Sequence, residues 1–360
     1  MPKVAIIYLC YKNLPHLSEV VLSWEKLVYP KESMTITIVP AGSPDGIADV
    51  VRRDVLPRSG KDLPEIILWD DGKNEGFAKN NNAPMRDAIA NGAEYIFLQN
   101  GDLRLAPDTI TEAVAAAEKD KKIGSVQSLV MYWHDEEKIN TSGGMMHVAG
   151  FGYARDNGKR GERGRGVLHT PEEIVYASGA AVLYRTSALQ KVGLLEEGFF
   201  MYHEDLELGL RLKIAGYKNV LAPKSIAYHD YTFGGNRKKF VWMEAYRFVV
   251  LAAYLRVSTM LLLAPLWLAI EIGTVAMMAR SGNIGIKLSA YATCCRPSTW
   301  KLAWTLRRRA QRLRVISDAE LTRLWTGRIE AQEMSNPFLE RVVNPVVDAI
   351  WHVMHTCILW

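Results

Sequence analysis

The sequence has few cysteines, and their spacing joins none of them into a recognisable unit. The four are Cys10, Cys294, Cys295 and Cys357, and they fit neither a zinc motif nor a disulfide framework. The first residues, MPKVAIIYLC, also lack the long apolar run of a secretory signal. These absences exclude a disulfide-stapled secreted domain and favour a reducing compartment.

A large excess of charge, internal repeats and low-complexity tracts are absent as well. The formal net charge of +5 is too small to indicate a nucleic-acid partner. The cations are unevenly spread, since residues 296–314 contain a run of arginines and no acidic residue. Such a run is attracted to anionic surfaces, of which lipid headgroups are one kind. With 49% hydrophobic residues over 360 positions, the chain can bury a full core.

The N-terminal part alternates between apolar runs and helical patterns. The runs KVAIIYL (3–9), MTITIVP (34–40), EIILW (65–69) and EYIFLQ (94–99) are typical of buried strands. Residues 78–91 have helical character and lie between two of them. The pattern predicts a doubly wound α/β sheet, in which ligands bind beyond the carboxyl ends of the strands. The polar loops AGSPDG, DDGKNEG and NGD follow those ends.

Beyond residue 123 the pattern is mixed. YASGAAVLYR (176–185) predicts a strand, 186–192 and 204–215 predict helices, and NVLAP and SIAYHD predict two short extended pieces. Gly216 stands where a helix C-cap is expected. Residues 155–166, RDNGKRGERGRG, predict a loop. That loop either is a mobile surface element or orders over a phosphate or an acceptor.

The composition changes near residue 238. Residues 248–279 carry only Arg256 and Glu271 as charges, and Pro265 interrupts them. A membrane span needs ~20 apolar residues, so the segment either crosses a bilayer or forms two shorter helices in its interface. A buried helix of a soluble domain is the third interpretation. We expect membrane attachment, and we expect a chain ending near residue 240 to be soluble and to bind nucleotide.

Three segments carry side chains suited to chemistry. FLQNGDLRL (97–105) puts Asp102 just past a strand, where its carboxylate can hold a divalent cation, although Asn, Gly and Asp also form plain turns. NEGFAKNNN (74–82) combines the flexible Gly76 with Asn81 and Asn82, which favours contact with a polar ligand. His229 ends an extended piece and is either a structural residue or a metal ligand.

The segment FFMYHEDLELGLRLKIAGY (199–217) sets Glu204 and Asp205 directly after an aromatic run. One interpretation is a helix start, where a capping side chain stabilises by ~1 kcal/mol. The other is a catalytic base at the edge of a sugar pocket. The two are compatible, because a capping position also fixes the side chain. The presence of the other motifs favours catalysis.

Taken in order, six segments resemble the inverting glycosyltransferases of family 2, in the rhamnosyltransferase-like branch. They are VAIIYLCY, NEGFAKNNNAPMRDA, LQNGDLRLAPDTI, ASGAAVLYR, GLLEEGFFMYHEDLELGLRLKIAGY and SIAYHD. The N-x-G-F-A and E-D-x-x-L-x-x-R-x-x-x-x-G-Y patterns are specific when they occur together. The resemblance implies an α/β fold of the GT-A type, with a Rossmann-like nucleotide-binding sheet. We expect a catalytic domain over residues 1–235 and a helical, membrane-associating region over 236–360.

The resemblance also implies roles for individual residues. Asp205 is expected to be the general base with Glu204 in support, and Asp102 and His229 are expected to hold Mg²⁺ or Mn²⁺. The expected nucleotide-sugar contacts are Cys10, Tyr11, Asp71, Asn74, Gly76, Phe77, Asn81, Asn100, Gly101 and Asp102. The expected acceptor or sugar pocket comprises Ser178, Gly179, Tyr202 and His203.

One departure from the family pattern concerns recognition of the donor base. The family has Asp–Asn before its G-S-x-D-G loop, and that Asp contacts the base. In this chain Pro40 and Ala41 occupy the two positions. Asp70 or Asp71, at the end of the next strand, is the candidate substitute.

The sequence therefore predicts a metal-dependent inverting glycosyltransferase at the cytoplasmic face of the cell membrane, held peripherally or monotopically. Its expected partners are a nucleotide-sugar donor, a lipid-linked or cell-envelope glycan acceptor and an anionic membrane surface, without nucleic acid. A homo-oligomer is compatible with the sequence. One alternative is a nucleotidyltransferase of similar fold, which would normally carry a glycine-rich basic loop where this chain has CYKNLPH. The other is a membrane-bound scaffold without activity, suggested by Pro40.

Overall fold

A computed structural model describes residues 1–160, 171–232, 237–329 and 337–360. The predicted loop at 155–166 lies partly outside these residues. The predicted domain boundary between residues 235 and 236 also lies outside them, and it stays a prediction.

Ten of the strands in the described residues form one large sheet, and two form a small one. They are β1 (Val4–Leu9), β2 (Met34–Val39), β3 (Glu65–Leu68), β4 (Tyr95–Asn100), β5 (Leu103–Leu105), β6 (Ile123–Tyr132), β7 (Asp135–Thr141), β8 (Gly144–Met146), β9 (Gly152–Ala154), β10 (Glu172–Ile174), β11 (Ala181–Arg185) and β12 (Lys218–His229). The order across the large sheet is β10-β12-β6-β11-β4-β1-β2-β3, with β5 beside β12 and β7 beside β6. Strands β8 and β9 form the small sheet.

The helices fall into two groups along the chain. Those of the first group are α1 (Leu17–Glu25), α2 (Ile47–Val50), α3 (Phe77–Ala90), α4 (Thr109–Glu118), α5 (Thr186–Val192) and α6 (Glu204–Ile214). Those of the second group are α7 (Arg237–Tyr254), α8 (Val257–Arg280), α9 (Ile284–Cys294), α10 (Pro297–Leu313), α11 (Asp318–Thr322) and α12 (Asn344–Thr356). The first group covers the sheet, and the second forms the C-terminal helical region.

The N-terminal half of the large sheet is parallel, as the apolar runs predict. Strands β3, β2, β1 and β4 are all parallel neighbours. Ile6, Ile7 and Tyr8 of β1 are fully buried, because helices cover both faces of the sheet. The four predicted strands and the helix predicted at 78–91 are confirmed. Their carboxyl ends meet at one edge, where Leu9 lies beside Asn100.

The second half of the sheet differs in one respect from the prediction. The segments NVLAP and SIAYHD form the single strand β12. Its register with the parallel strand β6 is irregular between Ala222 and Ile226, around Pro223, which lacks an amide donor. The predicted helices at 186–192 and 204–215 are confirmed, and Gly216 follows α6 with a φ of 86°.

The helical region breaks at a different residue from the one expected. Helix α7 ends at Tyr254 and α8 begins at Val257, so the break falls at Arg256. Pro265 lies inside α8 on an exposed position, where the loss of one backbone hydrogen bond is tolerated. In the described residues α8 is the one helix whose length and composition suit a membrane span, with a mean hydropathy of 1.9.

Helix α6 joins the helical region to the sheet. Its Leu206, Leu210 and Ile214 lie in one buried cluster with residues of α7, α8, α10, α11 and α12. Its Leu208 and Leu212 face the other way and belong to the core beneath the sheet. The helix that begins with the Glu204–Asp205 pair is therefore packed between the two parts of the chain.

Candidate active site

A cavity of ≈ 550 Å³ opens at the carboxyl ends of β1 and β4. It receives residues from strand ends, from the loops before α3 and α6, and from α7. Twelve of the predicted site residues line it: Tyr11, Phe77, Asn100, Gly101, Asp102, Ser178, Gly179, Tyr202, His203, Glu204, Asp205 and His229. Segments that are far apart in the sequence therefore meet at the edge of the sheet where ligands of α/β proteins bind.

Asp102 and His229 form one side of the cavity. Strand β12 runs antiparallel to β5, and the amide of Asp230 donates to the carbonyl of Asp102. This pairing sets the His229 Nε2 atom 3.1 Å from the Asp102 Oδ1 atom. The His229 Nδ1 atom lies 3.2 Å from the Asn140 Oδ1 atom, which orients the ring. Burial alone would raise the pKa of Asp102, but the hydrogen bond and charge interaction with His229, a backbone hydrogen bond and His16 together outweigh burial and lower it.

These residues fit a divalent cation. A carboxylate oxygen and an imidazole nitrogen suit Mn²⁺, and an ion held jointly with substrate phosphates needs few protein ligands. The described residues contain no cluster of three or more His, Cys, Asp or Glu side chains suited to a metal. The chain would therefore supply Asp102 and His229 and leave the remaining positions to phosphate oxygens and water. Asn140 would hold His229 in a fixed orientation from behind.

Glu204 and Asp205 lie opposite, in the first turn of α6. The Asp205 carboxylate accepts from the amide of Leu206 at 2.7 Å and from the amide of Gly179 at 3.2 Å. Neither carboxylate caps the helix, because the N-cap position belongs to His203 and its side chain makes no capping bond. Asp205 thus satisfies one first-turn amide, as a helix-start residue can, whereas the helix start gives no role to Glu204.

Burial controls the charge of both carboxyl groups. It raises the pKa of Glu204 to about 8, with a further contribution from the charge of Asp205. Burial also raises the pKa of Asp205, against the lowering effect of its two amide donors. The Glu204 Oε2 atom is buried and has no hydrogen-bond partner among the described residues. Asp205 is thus the better stabilised anion of the two.

The turn before α6 is strained. Tyr202 and His203 have φ values of 67° and 72°, a region that costs a non-glycine residue ~1–3 kcal/mol. The His203 ring lies between Phe199 and Tyr246, with centroids 6.4 and 6.1 Å away. Burial, and then Arg247, lowers the pKa of His203 to about 3, so the ring is neutral. The packing of this ring holds the strained turn that presents the carboxylate pair.

Gly76, Asn74 and Asn81 belong to the segment that contacts the turn before α6. A side chain at Gly76 would bring its Cβ atom within 2.4 Å of the Phe200 carbonyl oxygen, to which the Phe77 amide donates at 3.2 Å. The close approach predicted for Gly76 is thus made to the chain itself. Asn74 accepts from the Gly76 amide at 3.2 Å, and Asn81 donates to the Phe77 carbonyl at 2.9 Å. Gly76, Asn74 and Asn81 do not line the cavity.

Cys10, a predicted nucleotide-sugar contact, does not line the cavity. Its buried thiol lies 3.5 Å from the Val39 carbonyl oxygen, and burial raises its pKa. A side chain at Gly101 would bring its Cβ atom within 2.8 Å of the Cys10 Cα atom and 2.3 Å of the Asn13 side chain. The Tyr8 hydroxyl donates to the Gly101 carbonyl at 2.7 Å. Cys10 therefore shapes the loop that carries Tyr11, while Tyr11 itself faces the cavity.

The two candidates for the missing base contact differ in their surroundings. Asp70 accepts from Arg52 at 2.5 Å. Asp71 is exposed and accepts from the amide of Lys73 at 3.1 Å. Neither lines the cavity. Asp71 is the more accessible carboxylate of the two, and it stays the predicted contact.

Sequence reasoning missed Lys239, which comes from the first turn of α7. This side chain lines the cavity and is buried, with 8% exposure. Its Nζ atom lies 5.1 Å from the ring centroid of Tyr202 and 5.8 Å from that of Tyr231, within the range of cation–π attraction. The basic cluster NRKK at 236–239 was the available signal. Asn140 and Tyr176 also line the cavity without any motif that marks them.

A half-parallel, half-mixed sheet with a metal-suited Asp–His pair and a carboxylate pair at one edge defines a GT-A glycosyltransferase. A sequence model of the family described as "Glycosyltransferase like family 2" matches residues 2–244, and the chain belongs to that family. It is 25% identical over 245 residues to the N-acetylglucosaminyl-diphospho-decaprenol L-rhamnosyltransferase of Mycobacterium tuberculosis, covering 64% of this chain and 75% of the relative.

Solved structures share the fold at lower identity. The mannosyltransferase PcManGT from Pyrobaculum calidifontis, in complex with GDP-Man and Mn²⁺, has a TM-score of 0.51 at 17% identity, covering 87% of this chain and 86% of that one. S. aureus TarS 1–349 in complex with UDP-GlcNAc has a TM-score of 0.51 at 14% identity, with coverage of 90% and 84%. GalNAc-T7 with UDP, GalNAc and Mn²⁺ has a TM-score of 0.55 at 14% identity. That match covers 70% of this chain but only 48% of GalNAc-T7.

Proposed function

We propose that the chain is a metal-dependent, inverting glycosyltransferase that moves a sugar from a nucleotide-sugar donor to a lipid-linked or cell-envelope glycan acceptor. One observation carries this proposal above the others. The Asp205 carboxylate and the Asp102–His229 pair line the same cavity, and α6 and β12 hold them on separate elements. A base and a diphosphate site are thus available on two sides of one bound sugar.

In this reaction Asp205 takes the proton from an acceptor hydroxyl while that oxygen attacks the anomeric carbon of the donor sugar. A new carbon–oxygen bond forms as the bond from that carbon to the diphosphate oxygen breaks. The nucleoside diphosphate leaves with the bonding electrons, and a single displacement of this kind inverts the anomeric centre. The amides of Gly179 and Leu206 hold the carboxylate in place, so its free lone pairs point to the acceptor.

Asp102 and His229 are the residues that would hold Mg²⁺ or Mn²⁺. When bound, such an ion supplies charge stabilisation for the departing diphosphate. Two of the similar structures were determined with Mn²⁺, and this supports the choice of ion class. Asn140 keeps the His229 ring oriented, so the nitrogen that faces Asp102 stays available.

Lys239 adds a second positive group on the same cavity. Its ammonium lies over the rings of Tyr202 and Tyr231 and 3.5 Å from the Tyr231 hydroxyl, so it keeps one position. A fixed ammonium is a common partner for phosphate oxygens. We assign Lys239 to the donor diphosphate, together with the Asp102–His229 site.

The acceptor class follows from the relative and from the helical region. The mycobacterial relative is named for transfer to a diphospho-decaprenol lipid. In this chain the helical region packs directly on α6 and exposes a long apolar helix. A lipid-linked acceptor at the cytoplasmic face of the cell membrane fits both facts. The relative's name also supports a deoxyhexose such as rhamnose as one donor sugar to test.

The test is a screen of nucleotide sugars against the full-length protein. The expected result is that one donor raises the thermal midpoint only when Mg²⁺ or Mn²⁺ is present, and that the same donor is slowly hydrolysed. The Asp205→Asn variant should show the same stabilisation without hydrolysis. Release of pyrophosphate instead of a nucleoside diphosphate would favour a nucleotidyltransferase. Absence of any nucleotide-dependent stabilisation would favour a scaffold and contradict the proposal.

A further inference from the structure

The outer face of α8 is apolar along its length. Four large side chains recur on it at helical spacing and are exposed by 56–71%. They are Val257, Leu261, Leu268 and Ile272, and we call them the α8 stripe. Small residues on this face, such as Ala264 and Ala276, are exposed too. A continuous exposed apolar surface of this kind marks a site that another apolar phase covers.

The inner face of α8 carries the polar groups instead. The Thr259 hydroxyl donates to Asp318 at 2.5 Å, and the Trp267 indole donates to the Val148 carbonyl at 3.0 Å. Glu271, the sole charged residue between Val257 and Ala279, accepts from Lys287 at 2.9 Å. It also accepts from Arg247 and from the Tyr291 hydroxyl. The helix thus turns its polar side to the protein and its apolar side outward, the reverse of a soluble surface helix.

These inner contacts fix the direction of α8. From Thr259 to Glu271 an α-helix rises about 18 Å, and over that length it is tied to α11, to the segment after β8, and to α7 and α9. Val148 belongs to the catalytic part of the chain, between the two strands of the small sheet. A helix that crossed a bilayer would have to separate from the catalytic part near its first residues, because that part stays in water. Helix α8 instead stays bonded to the protein for more than half of a bilayer thickness, once to the catalytic part and otherwise to α7, α9 and α11.

Neighbouring charges identify what covers the stripe. Residues 257–313 contain a single acidic residue, Glu271, which faces inward. On α10, Trp300 and Trp304 are exposed by 64% and 62%. Exposed cations share that helix face, namely Lys301, Arg308 and Arg312. Exposed tryptophans beside cations and an apolar helix are typical of a surface that sits at the headgroup level of an anionic bilayer.

We propose that α8 is an in-plane membrane anchor: its stripe is immersed in one leaflet of an anionic bilayer, and the helix does not cross. The cations of α10 then lie at the headgroups, and the cavity opens on the same aqueous side that receives a soluble donor. This inference does not depend on the sugar transferred, and its test does not use activity. It answers the question that composition leaves open, because length and hydropathy are the same for a span and for an in-plane helix.

The first test measures binding of the full-length protein to preformed vesicles, one set of phosphatidylcholine and one with added phosphatidylglycerol. Leu261→Ser with Leu268→Ser should lower the partition coefficient at least about tenfold on both sets, as expected for two buried leucines. Leu22→Ser on α1, which is exposed by 48%, is the matched control and should change nothing. Replacing Lys301, Arg308 and Arg312 with Gln should remove the preference for anionic vesicles and keep the binding to neutral ones. Equal binding by all variants would overturn the proposal.

The second test locates the two ends of α8. Single cysteines are placed just outside the helix, at the N-cap Arg256 and the C-cap Ser281, in a chain whose four native cysteines are serine, and a membrane-impermeant maleimide is added to the vesicle-bound protein. Both positions should react without detergent, because an in-plane helix keeps both ends on one side. Reaction of one end only after detergent would establish a span and overturn the proposal. If the leucine variants instead convert a dimer to a monomer and vesicle binding is unaffected, the stripe is a protein interface, and the proposal is wrong.

Discussion

The His229 Nε2 atom lies 3.1 Å from the Asp102 Oδ1 atom, although 127 positions separate the two residues in the sequence. The antiparallel pairing of β12 with β5 makes the contact. If the pair holds the cation, removing either side chain should weaken binding of the nucleoside diphosphate in the presence of Mn²⁺. We expect Asp102→Ala and His229→Ala each to weaken it at least about tenfold, as for a lost ligand or ligand-orienting group. Titration calorimetry with and without chelator measures the effect.

Asp120→Ala is the control for the metal prediction. Asp120 pairs with Lys218 at the start of β12, at 2.8 Å, and so lies at the opposite end of that strand from His229. Its variant should bind as the native protein does. Full activity of the native protein in excess chelator would contradict the metal role of both residues.

The carboxylate pair gives a second prediction. Asp205→Asn should lose transfer by ~10²-fold or more, the usual size of a general-base contribution, and should still bind the donor. Glu204→Gln should lose less, because Asp205 keeps its two amide donors and its charge. Initial rates with matched donor affinities separate the two variants. A larger loss for Glu204→Gln than for Asp205→Asn would reverse the assignment of the base.

Lys239 gives a third prediction. Lys239→Met removes the ammonium that lines the cavity and should weaken binding of the nucleoside diphosphate roughly tenfold, in line with one charge-assisted hydrogen bond. Lys239→Arg keeps the charge and should recover most of the affinity. Binding of the nucleoside alone, without phosphates, should be equal in all three proteins. If Lys239→Met weakens nucleoside binding as well, the residue acts through packing.

The raised pKa of Glu204 gives a prediction about stability. Its carboxyl group has a pKa of about 8 when folded against 4.5 as the reference for an unfolded chain. Between these values the folded state holds a proton that the unfolded state has lost, so stability falls as the pH rises. Glu204→Gln removes this cost, which is on the order of 1.4 kcal/mol per pKa unit. The thermal unfolding midpoint of the variant should be higher than that of the native protein near pH 9 and equal to it near pH 4. A difference that does not change with pH would contradict the assignment.

The packing of α6 leads to a fifth prediction, which reverses the one made from sequence. In a chain ending near residue 240, Leu206, Leu210 and Ile214 would lose their partners on α7 and α10. The buried Glu207 would also lose the hydroxyl of Tyr254 and the cation of Arg309. Glu207 would keep its ion pair with Arg211, but the apolar side of α6 would be exposed to water. An exposed apolar patch favours aggregation, so we expect this piece to be insoluble. A soluble, monomeric piece that binds nucleotide would contradict the prediction and restore the independent domain.

Much of the fold could be read from local patterns. Strands β1, β2 and β4 are buried on both faces, so each appears as a continuous apolar run. The edge strand β3 is only partly buried, and the parallel pairing of all four follows from the intervening helices. The strand ends could be placed for the same reason, and with them Asp102 and Asn100. Sequence reasoning could not show that β12 is continuous, because a proline such as Pro223 normally predicts a break in a strand. The structure accommodates it through an irregular register with β6.

The residues of the cavity divide in the same way. The sequence alone predicted Asp102, Asp205 and His229 as chemistry-bearing groups, because each sits in a short motif with its own turn or strand end, and all three line the cavity. The tertiary structure decided that Gly76 and Asn81 serve the chain's own turn, and that Lys239 of the helical region reaches the cavity. Those facts depend on contacts between distant segments, and such contacts produce no periodic pattern in the sequence.

The helical region shows the limit most clearly. Composition determined that residues 257–280 form an apolar helix suited to a membrane, since length and hydropathy are properties of the segment itself. It could not determine which side of the helix faces lipid or whether the helix crosses. The tertiary structure decided which side of the helix faces the protein, because Thr259, Trp267 and Glu271 bind partners on other elements, and this side underlies the in-plane proposal. The orientation of a helix depends on the groups to which its polar side chains hydrogen-bond. For α8 these partners lie between 16 and 119 positions away in the sequence, so the segment itself does not reveal them.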